Sequence, residues 1–141
     1  MLKKTINRQV NQIFKTLLTA LHNAPDSEFH YPVEDFHACV GGMAMHIAGS
    51  IEGAFATEAW YAKWSTPVSS KPACIACLEA CKDDLLKPFI ENAELLTADE
   101  QPEYFISKLD RVLKILRHVC HHTGELNTRL NAIAALPGSF V

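Results

Sequence analysis

Residues 105–126 read F-I-S-K-L-D-R-V-L-K-I-L-R-H-V-C-H-H-T-G-E-L. The apolar positions Phe105, Leu109, Val112, Leu113, Leu116 and Val119 recur at intervals of three and four, the stripe of an amphipathic helix. The same stretch carries His118, His121 and His122. On a helix turning about 100° per residue, His118 and His122 stack one turn apart on one face. A neutral imidazole is the commonest protein ligand for zinc and also suits nickel, iron and copper. Two such ligands do not make a durable site, so a third must come from another segment.

Outward from this stretch the chain shows three more helical segments and no alternating pattern that would read as a strand. The first spans about Lys3 to His22, with Ile6, Val10, Ile13, Phe14, Leu17, Leu18 and Leu21 on one side, and ends at Asn23-Ala-Pro25-Asp-Ser. A second begins near Asp35, as N-cap, and runs toward Trp64, before Ser65-Thr-Pro67-Val-Ser-Ser70 breaks it. A third starts near Pro72 with Ser70 as cap, and Pro88 within it predicts a kink or interruption. Thr97-Ala-Asp-Glu100 reads as a capping box for the fourth, which stops at Pro137-Gly138. Four helices with these loops make an all-α, antiparallel four-helix bundle, with a crossover permitted between the second and third. Phe14, Leu17, Ile47, Phe55, Leu78, Leu85, Leu109, Val112 and Leu116 are the expected core.

The remaining histidines are His22, His30, His37 and His46. His22 closes the first helix and His30 lies in the loop before Pro32, where a solvated side chain is the ordinary expectation. His37 and His46 are nine apart, about 900° of rotation, so they point to opposite faces and one at most meets the cluster. His37 lies near the polar start, whereas His46 sits mid-segment in A-M-H-I-A-G. His46 is therefore the third candidate. A lone helical histidine is usually a surface or hydrogen-bonded core residue. Three on two helices, two of them sharing a face, suit a tetrahedral ion with one open position, the arrangement of catalytic zinc.

His46 in a small-residue, mostly apolar second helix, followed much later by His118-x-x-x-His122 running into Thr123-Gly124-Glu125-Leu126, resembles the DinB-like (DinB/YfiT) family of metal-dependent enzymes. The likeness covers nearly the whole chain in order and spacing of helices, with about ten specific residues. It implies a four-helix bundle whose metal ligands fall on His46, His118 and His122. His121 matches a frequent extra histidine of the signature that is not usually a ligand. By spacing alone His118 with His121 is a rival pair, which the family motif disfavours. Thr123 and Glu125 stand where the family more often has Arg and Gln.

A chain of 141 residues is one domain by size, and 48% apolar with 21% charged residues can bury a real core. A net charge of −3 without a basic stripe argues against a nucleic-acid partner. The start M-L-K-K-T-I-N-R-Q has no apolar core behind it, so no signal peptide is visible. Cys39 to Thr57 is too polar and too interrupted for a membrane span, and a cytoplasmic location is expected. Five cysteines, an odd number, fit a reducing compartment. Cys74-x-x-Cys77-x-x-x-Cys81 lacks a second ligand pair and follows an apolar face with Leu78 and Leu85, so these read as buried structural thiols. Cys120 points about 200° away from His118 and His122 and is not counted as a ligand.

On the His46 face lie Cys39, Gly42, Met43, Gly49, Ser50 and Gly53, nearly all small, which leaves room beside a metal or serves close helix packing. The His118 face continues through Arg111, Ile115, Glu125 and Arg129. Glu125 can orient a ligand imidazole or act as a base, His121 is a further candidate for the chemistry, and Arg129 and Ser50 are candidates for contacting a small-molecule substrate. A metal on three neutral imidazoles keeps its full charge and lowers the pKa of a bound water or thiol. The family likeness implies thiol S-transfer, with a low-molecular-weight thiol as co-substrate, or metal-dependent hydrolysis, together with a homodimer. S-transfer is favoured, and zinc or nickel, then iron, are the expected ions. The alternative is a non-catalytic metal-binding bundle with a stress-response or sensing role.

Overall fold

The computed structural model describes residues 1–30, 39–64, 70–97 and 107–135, and among these every regular element is helical. The elements are α1 (Leu2–Asn23), a 3₁₀ turn (Asp26–Phe29), α2 (Val40–Phe55), α3 (Glu58–Trp64), α4 (Lys71–Ala80), a π-helical stretch (Cys81–Leu86), α5 (Lys87–Asn92) and α6 (Lys108–Ala134). Residues 81–87 keep right-handed helical backbone at both joints, so α4, the π stretch and α5 form one continuous rod. The described residues thus make five helical rods rather than the four expected. The extra one arises because the second expected segment is cut in two.

That cut falls at Ala56, whose backbone is extended (φ −71°, ψ 150°). The Thr57 carbonyl then accepts from Trp60 N–H at 3.1 Å and Tyr61 N–H at 3.3 Å, opening α3. Thr57 is a good helix starter ahead of Glu58, which adds a negative charge to the first turn of α3. Trp60 folds back across the break and donates Nε1–H to Glu52 Oε2 at 2.9 Å. At its other end α2 begins at Val40, not near Asp35, which lies outside the described residues together with His37. Cys39 is extended there and its Sγ accepts from Gly42 N–H at 3.4 Å, while Glu28 Oε1 accepts from Val40 N–H at 3.2 Å. Two first-turn donors that a helix leaves unpaired are thereby satisfied.

α6 also starts later than expected. Its cap is Ser107, whose Oγ accepts from Asp110 N–H at 3.2 Å. Lys108 and Leu109 donate to the carbonyls of Thr97 (3.3 Å) and Leu95 (2.7 Å), so Thr97, read as the cap of this helix, gives its start a backbone acceptor. A helix capped at Thr97 would carry Pro102 in its second turn, where proline loses a bond and clashes with the preceding turn. The rest of that box, Phe105 and the Pro137-Gly138 stop lie outside the described residues. α4 begins at Ser70, whose Oγ accepts from Ala73 N–H at 3.4 Å.

The interruption expected at Pro88 takes the form of the π stretch. Pro88 has no N–H to give and its ring crowds the turn before it. One looser turn ahead of it, where Lys87 N–H reaches the carbonyl of Lys82 five residues back, accommodates the ring without ending the rod.

One contiguous core unites the rods. Phe14, Leu17, Leu21, Ile47, Ile51, Leu78, Leu86, Ile90 and Leu126 are fully buried, each contributing about 1.5–3 kcal/mol of transfer free energy. Of the expected core, Phe55 and Leu109 are half-buried; Leu113, read on the apolar stripe of the last helix, is 45% exposed. Leu113 follows Val112 by about 100°, and Val112 holds the inward position. α2 packs against both α6 and the α4–π rod, and α1 packs against α6, α4 and α5. No helix among the described residues is long and apolar enough to cross a membrane.

Candidate metal centre

Helical periodicity delivers His118 and His122 to one side of α6, and α6 lies against α2. His46, midway along α2, completes the group: one nitrogen from each of His46, His118 and His122 lies within 4.8 Å of the others. Ring centroids are 5.1 Å apart for His46 and His118, 4.6 Å for His46 and His122, and 4.4 Å for His118 and His122. The Nε2 atoms of His46 and His118 stand 3.2 Å apart. Two nitrogens about 2.0–2.1 Å from one tetrahedral zinc are separated by about 3.3 Å, so this spacing fits a shared ion.

The donor set fits in charge as well. Burial, first, and then the neighbouring imidazoles hold His118 below its ordinary pKa, and the same two causes act on His122. The rings are thus held neutral, the form that coordinates a cation. His122 is buried whereas His46 and His118 are half-buried. Gly49 and Gly53, on the same helix as His46, are exposed, and a side chain added at either would meet nothing within 4 Å. The small face of α2 is thus open at Gly49 and Gly53 and closely packed at Cys39, Gly42 and Met43, which are buried.

Around the three rings sit the other candidates. Ser50 Oγ donates to the His46 carbonyl at 3.0 Å and lies 2.9 Å from His118 Nε2, bridging the two helices. Glu125 Oε1 is 3.3 Å from His122 Nδ1 and 2.7 Å from His121 Nε2. A carboxylate beside Nδ1 favours the proton on that atom, leaving Nε2 of His122 for a metal. The His121 side chain is 69% exposed and belongs to a different grouping, with His122 and Glu125. No family model, curated protein or solved structure matches this chain.

Arg129 is engaged elsewhere. Its Nε donates to Glu28 Oε1 and its Nη2 to Glu28 Oε2 at 3.0 Å, a two-pronged contact that ties α6 to the 3₁₀ turn. That pairing holds the Arg129 pKa up. Its distance from His122, seven residues or about 10 Å along the helix, also removes it from the cluster. Arg111 likewise serves the fold, donating to the Ala54 carbonyl at 3.5 Å with its guanidinium 5.5 Å from the Phe89 ring centre. Thr123 is buried and donates to the Val119 carbonyl at 2.7 Å, facing the core rather than the opening. His22 and His30 line a separate surface cavity of about 640 Å³ with Asp26, Lys71 and Glu79.

Two participants escaped the sequence. Glu28 carries no motif, and only the fold shows that it both caps α2 and holds Arg129. Cys39, Cys74, Cys77 and Cys81 are buried free thiols and Cys120 is exposed. Glu52 lies with Cys77 and Cys81, their ligand atoms within 4.8 Å of one another, although it is distant from both in sequence.

Proposed function

We propose that His46, His118 and His122 hold one divalent metal ion, zinc or nickel ahead of iron, in a metal-dependent enzyme of the DinB-like type. The observation that carries this reading is the convergence of three imidazoles from two packed helices, with His118 and His122 held below the ordinary histidine pKa chiefly by burial. In this reading α1, α2, the α4–π–α5 rod and α6 are the four helices of the bundle, and α3 is a short addition. The same likeness leads us to propose a homodimer, and the odd number of cysteines, fitting a reducing compartment, a cytoplasmic location.

When bound, the ion supplies Lewis acidity that lowers the pKa of a thiol or water beside it. Thiol S-transfer is the favoured reaction. The side chains define the rest. Ser50 gives His118 Nε2 a partner when no ion is bound and would yield that nitrogen to the ion, and Glu125 lies beside Nδ1 of His122. The exposed His121, backed by Glu125 at 2.7 Å, accepts the thiol proton. The sulfur then forms a bond to the electrophilic carbon as the leaving group departs with its electron pair. Hydrolysis differs in that water replaces the thiol.

The test is the metal content of the purified full-length chain together with turnover of an aryl halide in the presence of a small thiol such as glutathione. The expected result is thiol-dependent turnover that disappears in His46→Ala along with one equivalent of metal. Loss of metal from His46→Ala without any turnover in the parent protein would favour a non-catalytic metal-binding module, and unchanged metal would overturn the site.

A further inference from the structure

We propose that Glu52, Cys77 and Cys81 form a second, buried site for a thiophilic divalent cation, zinc above all, separate from the histidine centre. Their three ligand atoms lie within 4.8 Å of one another. Cys77 closes one turn of α4 and Cys81 opens the π stretch, four residues on, so both sulfurs face the same side of the rod. α2 packs against that rod and brings Glu52. Cysteine spacing alone lacked a further ligand; the fold supplies it as a carboxylate from another helix.

The surroundings favour a metal over an ordinary thiol pair. Cys77 and Cys81 are 2% and 0% exposed and Glu52 is half-buried, so an ion held there would be shielded on the cysteine side and reached from the Glu52 side. Thiols are weak hydrogen-bond donors and give a carboxylate little in exchange for its hydration. Trp60 Nε1–H donates to Glu52 Oε2 at 2.9 Å and leaves Oε1 available. A hydrogen bond that fixes a ligating carboxylate is the usual outer partner of a metal ligand. Thiolates with one carboxylate suit zinc, whereas a harder cation such as magnesium demands oxygen donors throughout. Cys74, on the same face, is outside the set, and burial pushes its thiol up to about 12.

Occupation converts two neutral thiols and one carboxylate into two thiolates and one carboxylate around the ion, releasing two protons. The net charge of the site becomes −1, facing the Trp60 donor. The consequence is structural: α2 would be fastened to the α4–π rod on one side and to α6, through the histidines, on the other. The inference does not depend on the histidine centre being catalytic.

The test titrates the metal-free full-length chain with cadmium and follows thiolate-to-cadmium charge transfer in the ultraviolet. The parent protein should take up two equivalents and develop the band; His46→Ala should lose one equivalent and keep it, and the double variant Cys77→Ala/Cys81→Ala should lose it. A second measurement needs no variant. X-ray absorption of the parent protein with two equivalents of zinc should show sulfur neighbours at about 2.3 Å beside nitrogen and oxygen at about 2.0 Å. A parent protein without the band, a band that persists in the double cysteine variant, or a zinc shell free of sulfur would each overturn the proposal. Failure of the histidine centre alone would appear instead as a single equivalent with the band intact.

Discussion

α6 and the α4–π–α5 rod differ in regularity, and the difference decides what each can present to α2. α6 runs from Lys108 to Ala134 as one uninterrupted α-helix, so residues four apart stay in line and His118 and His122 face His46 together. The opposing rod changes winding at Cys81, where a π stretch absorbs Pro88. It meets the other side of α2 with sulfur rather than imidazole, at Glu52. The regular helix brings together a half-exposed imidazole group, and the rewound one brings two buried thiols to a half-buried carboxylate. Position on α2 separates the two chemistries, since His46 and Glu52 are six residues apart, about 600° of rotation, and point to different sides.

The sharpest way to break this contrast is to remove one imidazole. His118→Ala should lower affinity at the histidine centre by more than about a hundredfold, because losing even an outer partner of a ligand costs about 10–100-fold. Competition titration with a chelator of known affinity measures it, with Cys77→Ala as the control that leaves this centre intact. Equal loss in both variants would merge the two regions into one site. Unchanged affinity in His118→Ala would remove the centre from α6.

Next in size is the tie that positions α6 and α2 together. Glu28→Ala removes both the partner of Arg129 and the acceptor for Val40 N–H, and should cost about 1–2 kcal/mol, in line with the loss of a helix cap and a charged hydrogen bond. Urea denaturation of the metal-free protein reads the change. Metal stoichiometry should stay the same. If Arg129→Ala instead left stability untouched and weakened only substrate saturation, Arg129 would return to the role of an anion contact, which its pairing with Glu28 argues against.

What was legible follows the same division. Along α6 the period of 3.6 was enough to place His118 and His122 together and to bury Val112, Leu116 and Val119. Adjacent apolar residues were the weak point: Val112 and Leu113 cannot share a face, and the pattern gave no reason to send Leu113 outward. The break at Ala56 was hidden because A-F-A-T-E-A carries neither proline nor glycine at the break itself, and only Thr57 hints at a new start. Pro88 announced a disturbance in the rod but not its form. Glu28 with Arg129, and Glu52 with the two cysteines, are pairings between rods, which no periodicity within one segment can reveal.

A milder effect separates the two regions by pH. His118 and His122 are held below the ordinary histidine pKa of about 6.5, chiefly by burial. The unfolded chain therefore binds more protons than the folded one as pH falls below that value. The contribution of these groups is present above about pH 6.5 and is lost as pH drops toward their lowered folded values. The metal-free protein should lose stability as pH falls below about 6.5, and the loss should shrink in His118→Ala. Denaturation midpoints at fixed ionic strength check this. A dependence unchanged in His118→Ala would assign the acid sensitivity to other groups.

The smallest expected effect on metal binding is at His121, and it tests which face of α6 belongs to the centre. His121 is adjacent to His122 and so about 100° away around the helix. Its side chain is 69% exposed, and its Nε2 reaches Glu125 rather than His46 or His118. His121→Ala should keep metal content at the parent level, because its ring is outside the triad. It should lower turnover by about 10²–10⁴-fold if the ring takes the thiol proton, the usual contribution of a positioned acid or base. The variant thus splits binding from chemistry, which no ligand substitution can do. Should His121→Ala lose its metal while His122→Ala keeps it, the centre would be built on the neighbouring face of α6. Glu125 would then sit beside a ligand through His121 instead of His122, and the registry between α6 and α2 drawn from His46 would have to be redrawn.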